Sequence, residues 1–222
     1  MAVYDLEEQE QLDELKTWWK QYGNLVTGVL LAAAVAVVGW QGWNWYQRNQ
    51  AVQASSLYSL LLQTSSQRDA KRTKEVAGEL IDKYSRSTYA AMGALVSART
   101  QLEAGDSKTA QAQLGWAVEK ADDEGLRDLA RLRLAIVLLD EKAYDEAAKQ
   151  LAKDPSAPFL ARFGELRGDV YAAQGKAKEA RAAYESAIKQ TEAANKGGGE
   201  AGGGSNYREM LRAKLEQTGS GK

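Results

Sequence analysis

The residues of this sequence whose types and spacing could perform chemistry are acidic. They form two clusters, Asp122, Asp123 and Glu124, and the pair Asp145 and Glu146. Paired carboxylates that converge in a cleft act as acid and base in glycoside hydrolysis. Both clusters instead stand where a helix is expected to begin, and there carboxylates cap free amides and interact favourably with the helix dipole. This structural explanation is sufficient, so the sequence predicts a protein that is not an enzyme.

The composition excludes several further classes of site. None of the 222 residues is histidine or cysteine, so Ser-His-Asp and Cys-His catalysis and imidazole or thiolate zinc sites cannot be built. We therefore predict neither a cofactor nor a metal. A net charge of -1 lacks the basic excess of a nucleic-acid-binding protein, so no nucleic-acid partner is expected.

An uncharged stretch, 21–47, predicts a transmembrane helix. Its apolar part, 25–46, would be about 33 Å long as a helix, against about 30 Å for a hydrocarbon core. The only polar side chain between Leu25 and Trp40 is that of Thr27, whose hydroxyl can bond to its own helix. Aromatic residues flank the stretch as two membrane-interface belts: Trp18, Trp19 and Tyr22 on one side, and Trp40, Trp43, Trp45 and Tyr46 on the other.

A buried core helix and a cleaved signal are the alternatives to a permanent anchor. A core helix would need polar positions at helical spacing, and a signal would need a basic start and a shorter apolar core. The segment 1–20 is instead acidic, with a net charge of -4. Lys16 and Lys20 precede the span, whereas only Arg48 follows it closely, so the positive-inside rule favours a cytoplasmic N-terminus and a translocated C-terminal portion.

The segment 48–195 has the three- and four-residue apolar spacing of helices joined by short loops. Its small and large residues recur with steps of 37 and 33 residues, close to the 34-residue tetratricopeptide repeat. We therefore predict an all-α fold, in which a single transmembrane helix precedes a tetratricopeptide-repeat-like α-solenoid of antiparallel hairpins. Helices at 54–63 and 72–85 are expected to form a divergent capping pair. The clearest copy contains Gly168, Tyr171, Gly175, Ala180, Tyr184 and Ala187.

The C-terminal part begins with a glycine-rich linker, 196–205, which has six glycines in ten residues. The segment 206–222 follows, with Tyr207, Met210, Leu211 and Leu215 on one face of an expected helix. This helix is either docked on the solenoid or tethered beside it.

The stretches "VYDLEEQEQLDELKTWWKQYGN", "GWQGWNWYQRNQ", "STYAAMGALVSART" and "ELRGDVYAAQG" resemble the YfgM family of Gram-negative bacteria, described as the ancillary subunit of the SecYEG translocon. The resemblance covers residues 3 to about 193, and the glycine tract departs from it. It implies a single-span inner-membrane protein with a periplasmic repeat domain. It also implies association with the SecYEG translocon and with the membrane-anchored periplasmic chaperone PpiD.

Stacked repeats form a concave surface that suits a helix or an extended peptide. Projecting the usual groove positions of the repeat onto this chain predicts a partner-binding groove, although its leucines would also suit the core between repeats. The candidate residues are Leu95, Arg99, Leu102, Leu132, Ile136, Leu139, Arg162 and Asp169.

Two functions remain open at this stage. The first is a non-enzymatic protein-binding module that assists the transfer or folding of secreted and envelope proteins, either by binding unfolded secretory chains or by recruiting a chaperone. The alternative is an envelope stress-signalling regulator that acts through its acidic, amphipathic cytoplasmic N-terminus.

Overall fold

A computed structural model describes residues 4–196 and 205–219 of the chain. These residues form α-helices and one 3-10 helix, Ala157–Phe159, and include no strand. The chain divides into two compact units, Met1–Val52 and Gln53–Lys222. The helices are α1 (Tyr4–Ser66), α2 (Ala70–Lys83), α3 (Thr88–Glu103), α4 (Ser107–Lys120), α5 (Glu124–Asp140), α6 (Tyr144–Leu151), α7 (Leu160–Ala173), α8 (Ala177–Lys196) and α9 (Ser205–Gly219).

The first unit consists of the part of α1 that precedes Gln53. Thr27, the polar residue within the apolar stretch, forms its hydrogen bond inside the helix: its hydroxyl donates to the Gly23 carbonyl at 2.7 Å. The helix is long and apolar enough to cross a membrane, and only 6% of its most apolar stretch is buried. Large apolar side chains such as Val29 and Val38 are exposed. The segment is therefore not the buried core helix of a soluble domain.

The second unit is a row of antiparallel hairpins that share one turn conformation. Gly105, Lys142 and Gly175 end the first helices of three hairpins, all with positive φ, at 84°, 63° and 74°. Each amide donates to the carbonyl three residues earlier, and the next amide donates to the carbonyl five residues earlier. This arrangement is the Schellman motif, which satisfies the last carbonyls of a helix. The repeated turn confirms the repeat register predicted from the sequence.

A fourth hairpin has the same turn and joins the end of α1 to α2. Arg68 has a φ of 57°, and the amides of Arg68 and Asp69 donate to Ser65 and Thr64. The four turn residues are therefore 37, 37 and 33 positions apart. The predicted capping pair is thus a further copy of the repeat, which the sequence concealed because arginine occupies the position that favours glycine.

Small residues allow the two helices of each hairpin to approach closely. Thr73, Ala110, Ala147 and Ala180 occupy equivalent positions in the second helices, and all have 0% exposure. In the last hairpin the close approach involves Gly168, where an added Cβ would lie 2.4 Å from the Tyr184 ring. The main core therefore runs continuously through the hairpins from α3 to α7.

The one break that contains proline is held by a buried carboxylate. Asp128 on α5 is 3% exposed. It accepts hydrogen bonds from Arg131 at 3.0 Å and from the Ser156 amide and hydroxyl at 2.7 and 2.8 Å. A buried charge needs such partners to offset its desolvation. Asp128 thereby fixes the loop between α6 and α7.

Candidate protein-binding groove

An apolar groove lies between α3 and α5, with α4 contributing to its lining. It encloses a cavity of about 230 Å³. The side chains of Ala98 and Val137 in its lining are buried, whereas those of Leu102 and Ile136 are 39% and 42% exposed. The lining residues are Ala98, Arg99, Leu102, Leu114, Arg133, Ile136 and Val137.

Leu102 and Ile136 stand out because large exposed apolar side chains are few in the described part of the second unit. Leu62 and Met210 are the other two. Isolated exposed leucines are normal on protein surfaces, whereas apolar groups that share one concavity are typical of binding sites. This groove is therefore the strongest candidate binding surface among the described residues.

Two arginines give the groove a positive rim. Arg99 is largely exposed and pairs with Glu103 at 2.8 Å. Arg133 is partly buried and donates to the Leu95 carbonyl at 3.3 Å. Burial lowers the pKa of the Arg133 guanidinium, and the charge of Arg99 lowers it further. Among the described residues no carboxylate forms an ion pair with Arg133. Its charge is thus only partly compensated.

The structure brings three of the predicted groove residues together: Arg99, Leu102 and Ile136 line one cavity. Leu95 is only 4% exposed and belongs to the main core, so its side chain is not on the groove surface. Leu132 and Leu139 are partly buried against the same core. The repeat register therefore selected three residues that line one cavity but did not separate surface residues from those that pack in the core.

The predicted groove positions of the last hairpin are contacted by the chain itself. Helix α9 docks on α8, with Leu211 fully buried beside Ala180, Tyr184 and Ala187. Of the two arrangements considered for this helix, docked and tethered, the structure has the docked one. The predicted linker falls largely on residues 197–204, which lie outside the described residues.

A polar network joins α9 to α7. Lys214 donates to Glu165 at 2.9 Å and to both oxygens of Asp169 at 2.8 Å. The Tyr207 hydroxyl donates to Glu165 at 2.9 Å, and Arg162 lies over the Tyr207 ring at 4.4 Å. Arg162 and Asp169 therefore participate in an intramolecular contact.

The pKa shifts follow from this network. Burial alone would raise the pKa of the Glu165 carboxyl, but hydrogen bonds from Lys214 and Tyr207 outweigh it, and the pKa is lowered. Burial likewise opposes the charge of Lys214, but the two carboxylates raise its pKa overall. Both groups are thus held in their charged forms, which stabilises the docked helix.

Sequence reasoning missed Arg133 and Lys214 as parts of these two sites, and it placed Tyr207 on the apolar face of α9 without its hydrogen bond to Glu165. Arg133 lies three residues before Ile136 on α5, and this spacing could have indicated that the two side chains share one helix face. No local pattern indicates the partners of Lys214, because Glu165 and Asp169 lie 49 and 45 positions earlier.

The acidic clusters lie where the sequence predicted, at helix starts. Asp123 precedes α5 and accepts from the Leu126 amide at 2.8 Å. Asp145 and Glu146 stand in the first turn of α6, and Asp145 accepts from Gln174 at 3.0 Å. Asp123 therefore caps α5 as expected, whereas α6 has no side-chain cap hydrogen bond, and Asp145 instead joins α6 to the end of α7.

The predicted interface belts are exposed along α1. Trp18 packs against Tyr22 with ring centroids 5.9 Å apart, and Trp43 against Tyr46 at 6.3 Å. The members of the belts are 44% to 70% exposed: Trp18, Trp19, Tyr22, Trp40, Trp43, Trp45 and Tyr46. Exposed indole and phenol rings at both ends of an apolar helix are typical of a membrane interface.

Comparison with known proteins agrees with this architecture. The tetratricopeptide repeat-like domain family matches residues 16–220. A protein of Neisseria gonorrhoeae named ancillary SecYEG translocon subunit is 31% identical over 97% of this chain and 99% of its own length. Proteins of the same name from Haemophilus influenzae and Escherichia coli are each 30% identical, over 83% and 85% of this chain and 90% of their own lengths.

The similarity thus extends over nearly the whole chain, through both the apolar helix and the hairpins. The chain belongs to the tetratricopeptide repeat-like domain family and, within it, to the same family as these ancillary SecYEG translocon subunits.

Proposed function

We propose that this protein is a non-enzymatic, membrane-anchored protein-binding module that associates with the SecYEG translocon. The observation that carries the proposal is the exposed apolar groove of Leu102 and Ile136 on a repeat solenoid. Solenoids of this kind bind helices or extended peptides on such surfaces. The names of the three related proteins, each an ancillary SecYEG translocon subunit, support the translocon as a partner.

The proposed location is the inner membrane, with 21–47 as a single span, the acidic segment 1–20 in the cytoplasm and the solenoid in the periplasm. Lys16 and Lys20 before the span support this orientation. In that position the groove would meet chains as they leave the translocon. The proposed role is to assist the transfer or folding of secreted and envelope proteins, together with the chaperone PpiD or by contact with unfolded chains.

Copurification tests the proposal. Ile136→Asp should weaken recovery of SecYEG with the tagged full-length protein, because it replaces an apolar contact of the groove with a carboxylate that a partner covering the groove would have to desolvate. The fold should survive, since residue 136 is 42% exposed and the charge stays hydrated without a partner.

Ala112→Asp is the matched control, because it places the same charge at an exposed position of α4 outside the groove. It should leave recovery of SecYEG unchanged. Equal recovery with wild type, Ile136→Asp and Ala112→Asp would rule out this groove as the site of association.

A further inference from the structure

We propose that the groove between α3 and α5 binds a protein segment that carries a large apolar side chain beside a side-chain carboxylate. This inference rests on the proposed function as a protein-binding module and defines the chemistry of the partner. It is drawn from the juxtaposition of an apolar cavity with a partly buried arginine that has no carboxylate partner among the described residues.

The cavity determines the apolar part of the partner. A volume of about 230 Å³ exceeds the roughly 150 Å³ of an engineered apolar cavity that binds benzene. The groove therefore has room for one large aliphatic or aromatic side chain. Leu102 and Ile136 would lose their remaining exposure on contact, and burial of apolar area is the main driving force of association.

The rim determines the charge of the partner. Arg99 and Arg133 are close enough for the charge of one to lower the pKa of the other, and both line the cavity. A carboxylate between them would relieve this repulsion and complete the hydrogen bonding of a partly desolvated guanidinium. Arginine suits this role because its planar fork matches a carboxylate. A lysine or arginine on the partner would instead be repelled.

The last hairpin also combines an apolar contact with a pair of opposite charges, but there the solenoid supplies the acids. There the acids Glu165 and Asp169 of α7 hold α9 through the cation of Lys214, and Leu211 supplies the apolar contact. This solenoid thus already binds one helix by pairing an apolar anchor with a complementary charge. The α3–α5 groove presents cations where α7 presents acids, so the matching segment is acidic.

Binding of designed peptides to the full-length chain in phosphatidylcholine nanodiscs tests the inference. Three short, labelled peptides with blocked ends share two leucines four residues apart and differ only in flanking glutamates, glutamines or lysines. Fluorescence anisotropy reports affinity, and empty nanodiscs measure partition into lipid. We expect the glutamate peptide to bind most tightly and the lysine peptide most weakly.

Variants of Arg133 test whether its guanidinium causes the preference for the glutamate peptide. Arg133→Gln should lower the affinity for the glutamate peptide about tenfold or more and leave the affinity for the glutamine peptide nearly unchanged. Only a charge-assisted hydrogen bond is lost in this variant. Arg133→Glu should make the lysine peptide the tightest ligand. Arg133→Lys should retain the original order, and so should Arg86→Gln, which removes an exposed arginine before α3.

Equal affinity of wild type for the glutamate and lysine peptides would overturn the inference. A glutamate preference that survives Arg133→Gln would overturn it too. Should Arg133→Gln fail to fold, Arg99→Gln provides the same test on an exposed side chain, with a smaller loss expected. If the glutamate peptide binds most tightly but SecYEG is not recovered with the protein, only the proposed function is contradicted. If recovery of SecYEG depends on Ile136 but the glutamate peptide is not preferred, only this inference is contradicted.

Discussion

Lys142 adopts a backbone conformation that glycine adopts at the equivalent positions of two other hairpins. Its φ of 63° lies in the left-handed region, as do those of Gly105 and Gly175. A side chain there costs about 1–2 kcal/mol, and the more flexible unfolded state of a glycine offsets part of that cost. The turn is therefore retained at Lys142 by the hydrogen bonds of its hairpin.

We expect Lys142→Gly to raise the free energy of unfolding by about 0.5–1 kcal/mol, because it removes this strain. The reverse substitution, Gly175→Lys, should lower it by about 1 kcal/mol. Chemical denaturation of the full-length protein in detergent micelles measures both. No change in either variant would mean that the turns contribute no strain.

Ala180 tests the packing inside a hairpin. It is fully buried beside Tyr184 and Ala187, so Ala180→Asp should cost several kcal/mol out of a typical total of about 5–15 kcal/mol. The cooperative thermal transition seen by circular dichroism should disappear. Ala182→Asp, at an exposed position of α8, should melt close to wild type, and so should Ile136→Asp. A normal melt for Ala180→Asp would contradict the close packing of this hairpin.

At the scale of elements, α9 is the clearest case of a helix held by charge as well as by apolar contact. Lys214 links it to two carboxylates of α7, and Tyr207 donates to one of them. Glu165 is 8% exposed, so removal of its partners would leave a poorly solvated charge. The docking of α9 should therefore depend on pH.

The lowered pKa of Glu165 sets the sign of that dependence. A carboxyl whose folded pKa lies below its ordinary value of 4.5 contributes stability above pH 4.5, and this contribution is lost as pH falls through the lowered value. Glu165→Gln should therefore destabilise the protein near neutral pH, and the difference from wild type should shrink below pH 4.5. Glu185→Gln, in an exposed pair with Arg181, is the control. A difference that does not change with pH would contradict the role of Glu165.

The elements show how much the sequence could predict. Local signals located the apolar helix, the hairpins and the glycines of two turns, because these depend on composition and on spacing within one repeat. The repeat register placed Lys142 at a turn that has no glycine, whereas Arg68 hid the fourth turn, since the hydrogen bonds of the hairpin impose the conformation there. The burial of Leu95 and the contacts of Lys214 depend on packing between helices distant in sequence, which no local pattern encodes.

At the scale of the whole molecule, the apolar helix is expected to anchor the chain. Ala34→Arg would place a charge near the bilayer centre at a cost of roughly 3 kcal/mol on insertion scales, and the valines and leucines of the span supply only about 2–5 kcal/mol. The membrane fraction after alkaline extraction should fall. Gln47→Arg, at the end of the uncharged stretch, should have little effect. An unchanged membrane fraction for Ala34→Arg would argue against this span.

The orientation of the chain decides which compartment the groove faces. A reporter that is active only in the periplasm, fused after Lys222, should be active while the protein stays in the membrane fraction. This result is expected because Lys16 and Lys20 favour a cytoplasmic N-terminus. Activity of a reporter that works only in the cytoplasm would reverse the assignment.

The central claim is that the α3–α5 groove contacts the translocon, and site-specific photocrosslinking in intact cells tests it most directly. A photoreactive residue at position 136 or 102 should form a product with a SecYEG subunit, identified by antibodies against each subunit. The same residue at position 112, exposed on α4, should not. SecYEG products from position 112 but none from positions 102 and 136 would contradict the claim.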